Sequence, residues 1–425
     1  MVSLTSPLPR VYPSSRSSSQ ACRWTAWQGR EWLLLLVVSS LGSVALVYQF
    51  GGRVDQHLAV RRFALRLQSR TTSAAEYCPE YTPVLDQALH TYKNPKRSFS
   101  RKAQSRVDAF IAGTGGMRVA VSADNGRVSM LPVKRDRQRI ADLLANIQLA
   151  QRLFGNFPFD FEFWYNSGDM PALPRAVFPS DEGVLLPPLG YTTTDGHYDV
   201  SIPYLRQAVW SEEREMHTLH SLVQSHPWSQ KLPKGVWRGS TTGAAAVDAS
   251  NCWTLPRAVL VNVSLENPGL LDARFTACKH CARDTAVAYE TAGYGYAPFL
   301  SVQEQFRYQV LIDVDGNSWS SRFATLLSIN SAVVKQETQY VEFFRPLLQP
   351  YKHYLPVKDD LSDLEALLKE RLDASKNSTA HMELQEMGAE STRLYMRSLV
   401  PSKQLCYLHR VLEVYSRVFE RGSGI

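Results

Sequence analysis

The chain has 425 residues, 44% hydrophobic and 11% aromatic, enough for two domains with full cores and too apolar for a disordered protein. Its net charge of +7 sits wholly in residues 1–70, where nine arginines face only Glu31 and Asp55, so the other 355 residues carry 38 basic and 38 acidic side chains. A neutral body argues against a surface that tracks phosphates along a nucleic acid, and no nucleic-acid partner is expected.

Residues 1–31 are rich in Ser, Pro and Arg without apolar periodicity, which predicts a disordered cytoplasmic tail. Residues 32–50 form a charge-free run of 19, long enough as a helix to cross a bilayer, with Trp32 and Tyr48 near its ends. The run exceeds the usual core of a cleaved signal peptide, so a single uncleaved signal-anchor is expected. Arginines flank both sides (Arg23 and Arg30 before, Arg53 and Arg61 after), so charge does not orient it. Two glycosylation sequons, Asn262-Val-Ser264 and Asn377-Ser-Thr379, are usable only if the large body is lumenal. Residues 51–100 read as a stem.

The body begins near Ser100 with a helix over 101–111. Two short strands flank an Asn125-Gly126 hairpin turn. Gly113-Thr-Gly-Gly116 precedes a strand, so it is not a dinucleotide fingerprint. Ile140, Leu143, Leu144 and Ile147 are spaced for an amphipathic helix over 138–153. Alternation from Phe159 to Tyr165 marks a strand, and the loop after it carries Asp169. In open α/β domains ligands sit beyond the carboxyl ends of strands, which places Asp169 for chemistry; an aspartate that merely stabilises a turn explains the same letters.

Residues 232–243 run from a strand into a turn holding Arg238, Gly239, Ser240 and Thr241, suited to phosphate or sugar oxygens. The same logic recurs at 308–323. An apolar strand, Val310 to Val314, is broken by Gly316; Asn317, Ser318, Ser320 and Ser321 then lead to Arg322 and Phe323 at a helix start. A strand, a polar turn, a helix amino terminus and a fork-shaped cation suit a diphosphate. Asp313-x-Asp315 also resembles a metal-holding acid pair, and with Gly316 and Asn317 a calcium loop, although the glycine is one position early and no glutamate stands twelfth.

Toward the carboxyl end, Leu405, Leu408, Leu412, Tyr415 and Phe419 stripe a last helix. Five cysteines follow the anchor (Cys78, Cys252, Cys278, Cys281, Cys406), an odd number that leaves one thiol over. Cys278-Lys-His-Cys281 admits a metal half-site, a redox pair or a structural disulfide.

Taken in order, these pieces resemble glycosyltransferase family 90, which includes animal protein O-glucosyltransferases and fungal capsule-associated enzymes. Asn166-x-x-Asp169-x-Pro171 looks like that family's catalytic-aspartate loop, and Tyr198-Asp-Val-Ser-Ile-Pro203 its following segment. His226-Pro-Trp228, Trp237-Arg-Gly-Ser240 and Asn267-Pro-Gly-Leu-Leu-Asp-Ala-Arg-Phe-Thr276 come next. Gly316 to Phe323 is the closest match; Tyr340-Val-Glu-Phe-Phe344, His353-Tyr-Leu-Pro-Val357 and Asp360-Leu-Ser-Asp-Leu364 complete the string over roughly residues 138–370.

The resemblance implies an α/β enzyme of GT-B type, with two Rossmann-like domains facing a cleft behind one transmembrane helix. Residues 101–225 would form the acceptor domain, 226–400 the UDP-sugar domain and 401–425 a terminal helix. It implies inverting transfer of xylose or glucose from UDP to a glycan or glycoprotein, with no metal and no other cofactor. Asp169 would be the base, and Arg238 and Arg322 would hold the diphosphate. A type II protein, anchored in the bilayer through residues 32–50, in the Golgi or ER membrane is the expected setting. Gly168 stands where the glucosyltransferases carry arginine, and Tyr204-Leu-Arg-Gln207 replaces an aromatic-rich stretch, so acceptor and sugar can differ from theirs.

Overall fold

The computed structural model describes residues 35–38, 44–47, 73–93, 101–123, 127–131, 137–178, 186–205, 212–372 and 379–423. The tail 1–31, the Asn125-Gly126 turn and Asn377 lie outside them. Leu35–Val38 (β1) and Val44–Val47 (β2) form an antiparallel pair. This corrects the single helix expected over 32–50. The run is rich in β-branched valine and is interrupted by Ser39-Ser-Leu-Gly-Ser43, a composition that favours two short strands. Among the described residues no helix is long and apolar enough to cross a membrane.

Residues 73–93, expected as stem, belong to the folded body. Helix α1 (Thr82–Lys93) and the turn before it bury Cys78, Tyr81 and Leu85. Next come α2 (Arg101–Gly113), β3 (Met117–Val121), β4 (Val128–Leu131), α3 (Arg137–Phe154), β5 (Phe161–Tyr165), β6 (Leu189–Gly190) and β7 (Val200–Ser201). Their sheet runs β4-β3-β5-β6-β7. The first three strands are antiparallel and the last three parallel. The first domain is therefore mixed, not the wholly parallel sheet of a Rossmann unit. The short β3–β4 connection admits only a hairpin, because a parallel crossover needs a dozen or so residues.

The second sheet is parallel throughout. It holds β8 (Leu232–Ser240), β9 (Leu271–Ala277), β10 (Tyr308–Asp313), β11 (Ala332–Gln336) and β12 (Leu355–Val357), in the order β12-β11-β10-β8-β9. Helix α4 (Pro256–Glu266) packs on β9, and α5 (Thr379–Leu394) on β10 and β11. Cover on both faces explains why Val310–Ile312 and Ala332–Val334 are unbroken apolar runs. Strand order reverses between β8 and β10, with β9 outside β8. This is the topological switch point of a doubly wound sheet, where a crevice opens beyond the strand ends.

The last helix, α6 (Pro401–Ser423), crosses back to the first domain and packs on α1, α3 and β5. Its Tyr407, Leu408, Val411, Leu412 and Tyr415 are buried in the same core as Met117, Ile147 and Phe163. A disulfide joins Cys406 on this helix to Cys78, 328 positions earlier.

One buried charge gives a stability prediction. The Lys231 side chain is 4% exposed and its Nζ donates to Ser331 Oγ (2.7 Å) and Ile329 O (3.3 Å), with no ion pair among the described residues. Burial lowers its pKa to about 7. Between pH ~10.4, its unfolded value, and pH 7 the unfolded chain takes up a proton that the folded chain refuses, so stability falls as pH falls through that window. Lys231→Met should stabilise the protein by about 1–3 kcal/mol at pH 7, a gain that shrinks toward pH 10. Thermal melts of both proteins across pH 7–10 check this, and a pH-independent difference would refute it.

A candidate active site between the two sheets

The turn after β10 is built on an internal ion cluster. Lys335 on β11 is buried, with Nζ 3.3 Å from Asp313 Oδ2 and hydrogen-bonded to Asp315 Oδ1. Ser320 Oγ donates to Asp313 Oδ1 (2.5 Å) and Thr338 Oγ1 to Asp315 Oδ2 (2.6 Å). Burial alone would lower the Lys335 pKa, but Asp315 and Asp313 outweigh it and hold the ammonium charged. The Asp313-x-Asp315 pair thus has a cation of the chain itself against both carboxylates.

Gly316 lets this turn meet the one after β8, since a Cβ there would stand 3.2 Å from Thr242 Oγ1 and 3.3 Å from Arg257 Nη2. Arg257 on α4 staples the two turns. Its Nε donates to Asp315 O (2.8 Å), its Nη1 to Ser240 O (2.9 Å) and Thr242 Oγ1 (2.6 Å), and its Nη2 to Val314 O (3.2 Å). Burial, with Arg322 nearby, lowers its pKa to about 10, still charged at neutral pH.

Arg322 does not open a full helix: Phe323–Leu326 is a single turn, so the expected helix-dipole contribution is absent. What remains is the cation. Arg322 Nη1 donates to Arg238 O (2.6 Å), while Nη2 is buried without a hydrogen-bond partner and lies 3.9 Å from Asp313 Oδ1. A guanidinium donor without a hydrogen-bond partner is a group that an anion can satisfy.

Arg238 is placed differently. Its guanidinium is turned onto Asp272 of β9, with Nη2 2.8 Å from Oδ2 and Nη1 2.7 Å from the carbonyl. The two arginines therefore meet through Arg238 O and not as paired forks. Arg238 and Asp272, with Arg274, Tyr294 and Tyr296, wall a cavity of about 570 Å³. Thr241 is fully buried and faces the 278–281 loop; Ser320 and Phe323 are buried too, Phe323 packing against Phe344 and Tyr354. Gly239 sits over the Trp237 ring, where a Cβ would clash at 2.5 Å, and Ser240 gives its carbonyl to Arg257. Ser321 is exposed.

Asp169 faces this turn from the first domain. Asn166 shapes its loop, accepting from Gly168 N (2.9 Å) and donating to Met170 O (2.6 Å). Asp169 Oδ1 pairs with Arg139 Nη1 on α3 at 3.0 Å, and that nitrogen also donates to Ser167 O (2.6 Å). From the other domain Asn317 Nδ2 donates to Asp169 Oδ2 (3.0 Å) and Ser318 Oγ to Asp169 O (2.6 Å). Asn317 Oδ1 in turn accepts from Gly243 N (3.3 Å). Burial would lower the Arg139 pKa, but Asp169 more than offsets it. The Arg139 guanidinium lies over the rings of Tyr191 (5.5 Å) and Tyr204 (5.4 Å), and Trp319 packs on both. Asp169, Asn317, Ser318 and the Arg322 turn are thus brought together, and the Arg238 side chain and Thr241 are not.

The sequence reading missed Arg139, Arg257 and Lys335. Only Lys335 carried a signal, a lone charge inside an apolar strand 20 positions after Asp315 of the acid pair. Cys278 pairs with Cys281, leaving Cys252 as a buried thiol among the described residues. Asn262 is exposed on α4, held by Glu266 Oε1 (2.8 Å) and the Tyr294 hydroxyl (3.1 Å).

Comparison with known proteins bears on this geometry. The family model for glycosyl transferase family 90 matches residues 73–422. Protein O-glucosyltransferase 3 of Rattus norvegicus is 29% identical over 263 residues, 60% of this chain and 47% of that protein. Protein O-glucosyltransferase 1 of Homo sapiens is 27% identical over 278 residues, 62% of this chain and 64% of that one. The chain thus spans about half to under two thirds of these relatives' length. A solved pneumococcal O-GlcNAc transferase, GtfA in complex with UDP and GlcNAc, aligns over 46% of this chain and 36% of its own with TM-score 0.20 and 10% identity, too loose to carry an argument.

Proposed function

The chain belongs to glycosyl transferase family 90, and from that premise we propose that it moves xylose or glucose from a UDP-sugar to a hydroxyl of a glycan or glycoprotein, with inversion. The observation that carries the reading is Asp169 held, through Asn317 and Ser318, against the turn that carries Arg322, one guanidinium nitrogen of which has no hydrogen-bond partner. The acceptor oxygen attacks the anomeric carbon as the bond to the UDP oxygen breaks. Asp169 takes the acceptor proton, its Oδ2 exchanging the Asn317 amide for the hydroxyl. Arg322 meets the charge growing on the leaving diphosphate. The two sheets, joined by the Thr193–Val341 bridge, fit a GT-B cleft. The proposed reaction uses no metal, a reading supported by Lys335 Nζ lying against both carboxylates of the acid pair.

A second reading, a UDP-sugar-binding module without turnover, is favoured by one observation: both Asp169 oxygens are already engaged. UDP release from UDP-xylose, UDP-glucose, UDP-galactose and UDP-glucuronate with a mixed acceptor pool decides. Release with one donor supports transfer, and UDP binding without release supports the module.

Arg322→Ala should weaken UDP binding by about 10- to 150-fold, the loss of a charge-assisted contact worth roughly 1.5–3 kcal/mol. Arg322→Lys should recover only part, because a point charge cannot replace the fork. Calorimetry on the folded variants checks both, and unchanged affinity would move the donor elsewhere.

We place the body in the lumen of the secretory pathway, in the Golgi in preference to the ER. The two disulfides and the exposed Asn262 sequon support an oxidising, glycosylating compartment. A gel shift on endoglycosidase treatment supports this, and protease access to the body in sealed microsomes would overturn it.

A further inference from the structure

We infer that Cys278-Lys-His-Cys281 is a dithiol–disulfide exchange site whose state sets how firmly the turn after β8 is held. This rests on the donor reading of the Arg322 turn, to which Arg257 ties the turn after β8. The bridge closes a loop of sequence separation 3, against 328 for Cys78–Cys406, and constrains the unfolded chain far less, so the fold has little need of it as a staple. Cys78 and Cys406 are fully buried, whereas Cys278 and Cys281 are half-buried beside exposed Lys279 and His280. Access and neighbouring basic side chains are what a reactive cysteine pair requires.

The loop is tied to the stretch after β8 at several points. The Thr241 hydroxyl accepts from Lys279 N (2.8 Å), donates to Lys279 O (2.9 Å) and lies 3.1 Å from Cys281 Sγ. Val247 N donates to His280 O (2.8 Å) and Ala282 N to Val247 O (2.9 Å). Thr241 stands between Ser240 and Thr242, the two residues that Arg257 ties to the Arg322 turn. Opening the disulfide frees the backbone at 279 and 280 that anchors Thr241 and Val247, and loosens the 240–247 stretch.

The reductant is a dithiol. One of its thiolates attacks a bridge sulfur, the Cys278–Cys281 bond breaks, and the departing cysteine leaves as a thiolate. The second thiol of the reductant then attacks the mixed disulfide and releases the other cysteine. The reductant leaves as a disulfide, and two electrons and two protons pass to the protein.

The test uses the full chain and dithiothreitol. Free thiols are blocked with N-ethylmaleimide, the protein is treated with graded dithiothreitol, and new thiols are alkylated with iodoacetamide and read by peptide mass spectrometry. UDP affinity is measured on the same samples. Cys278 and Cys281 should label at reductant levels that leave Cys78 and Cys406 unlabelled, and UDP affinity should fall about fivefold, the loss of roughly one hydrogen bond. The C278S/C281S variant should bind UDP like the reduced protein and ignore dithiothreitol; if it does not fold, the wild-type titration alone decides. Cysteines that resist reduction until Cys78–Cys406 opens would overturn the exchange site. Labelling without any change in affinity would overturn its hold on the turn. Oxidised protein that binds no UDP would sink the donor reading and the coupling together, with the labelling still judging the exchange site.

Discussion

Asp169→Asn is expected to lower transfer by about two to four orders of magnitude while leaving UDP-sugar affinity nearly unchanged. The amide has the same shape, and its one oxygen can still accept from Arg139 Nη1, which now holds the carboxylate at 3.0 Å. Its NH2 takes the place of the oxygen that accepts from Asn317 Nδ2 at 3.0 Å, so the amide gives up that second contact. What it lacks is the basic lone pair for the acceptor proton. The side chain is 36% exposed, so the substitution leaves no large buried group unpaired and folding should hold. Transfer rate and UDP binding measured on one preparation separate the outcomes. Full activity would remove Asp169 as the base, and lost UDP binding would make it part of the donor pocket.

The second large effect is on stability. Replacing Cys78 and Cys406 together by Ala should cost about 2–5 kcal/mol, because their bond closes a loop spanning most of the chain. Both sulfurs are fully buried between the turn before α1 and α6, so alanine also leaves a small void. The urea midpoint measures the loss, and an unchanged midpoint would show that packing of α6 suffices alone. UDP affinity of the folded fraction should stay the same, since the Arg322 turn belongs to the other sheet.

How much of this was readable from the sequence varied with the range of the interaction. The Val310–Val314 run predicts a buried strand because a parallel strand is covered on both faces, and β10 is that strand within two residues. The Asp169 loop was placed by the alternating strand before it, a local signal. The helix expected at Arg322 dwindled to one turn because Leu327 to Ser331 lead straight into β11. Residues 73–93 looked like stem because their apolar partners lie on α6, more than 300 positions away. Arg139 and Arg257 could not be singled out, since each is an ordinary helix arginine until the fold sets it beside Asp169 or the two turns. The odd cysteine count did foretell a leftover thiol, and it is Cys252 among the described residues.

The return of α6 to the first domain has a consequence for synthesis. Every strand of the parallel sheet lies within residues 232–357, so that sheet has all its parts once α5 leaves the ribosome. The first domain, although made earlier, lacks Tyr407, Leu412 and Tyr415 from its core until α6 emerges. Its mixed sheet must wait with an apolar face uncovered while its successor matures, which reverses the usual amino-to-carboxyl order of domain folding. A ribosome stalled near residue 400 would hold a finished parallel-sheet domain tethered to an unfinished mixed-sheet domain. The Cys78–Cys406 bond, closing after both sheets, would then mark a chain translated through α6.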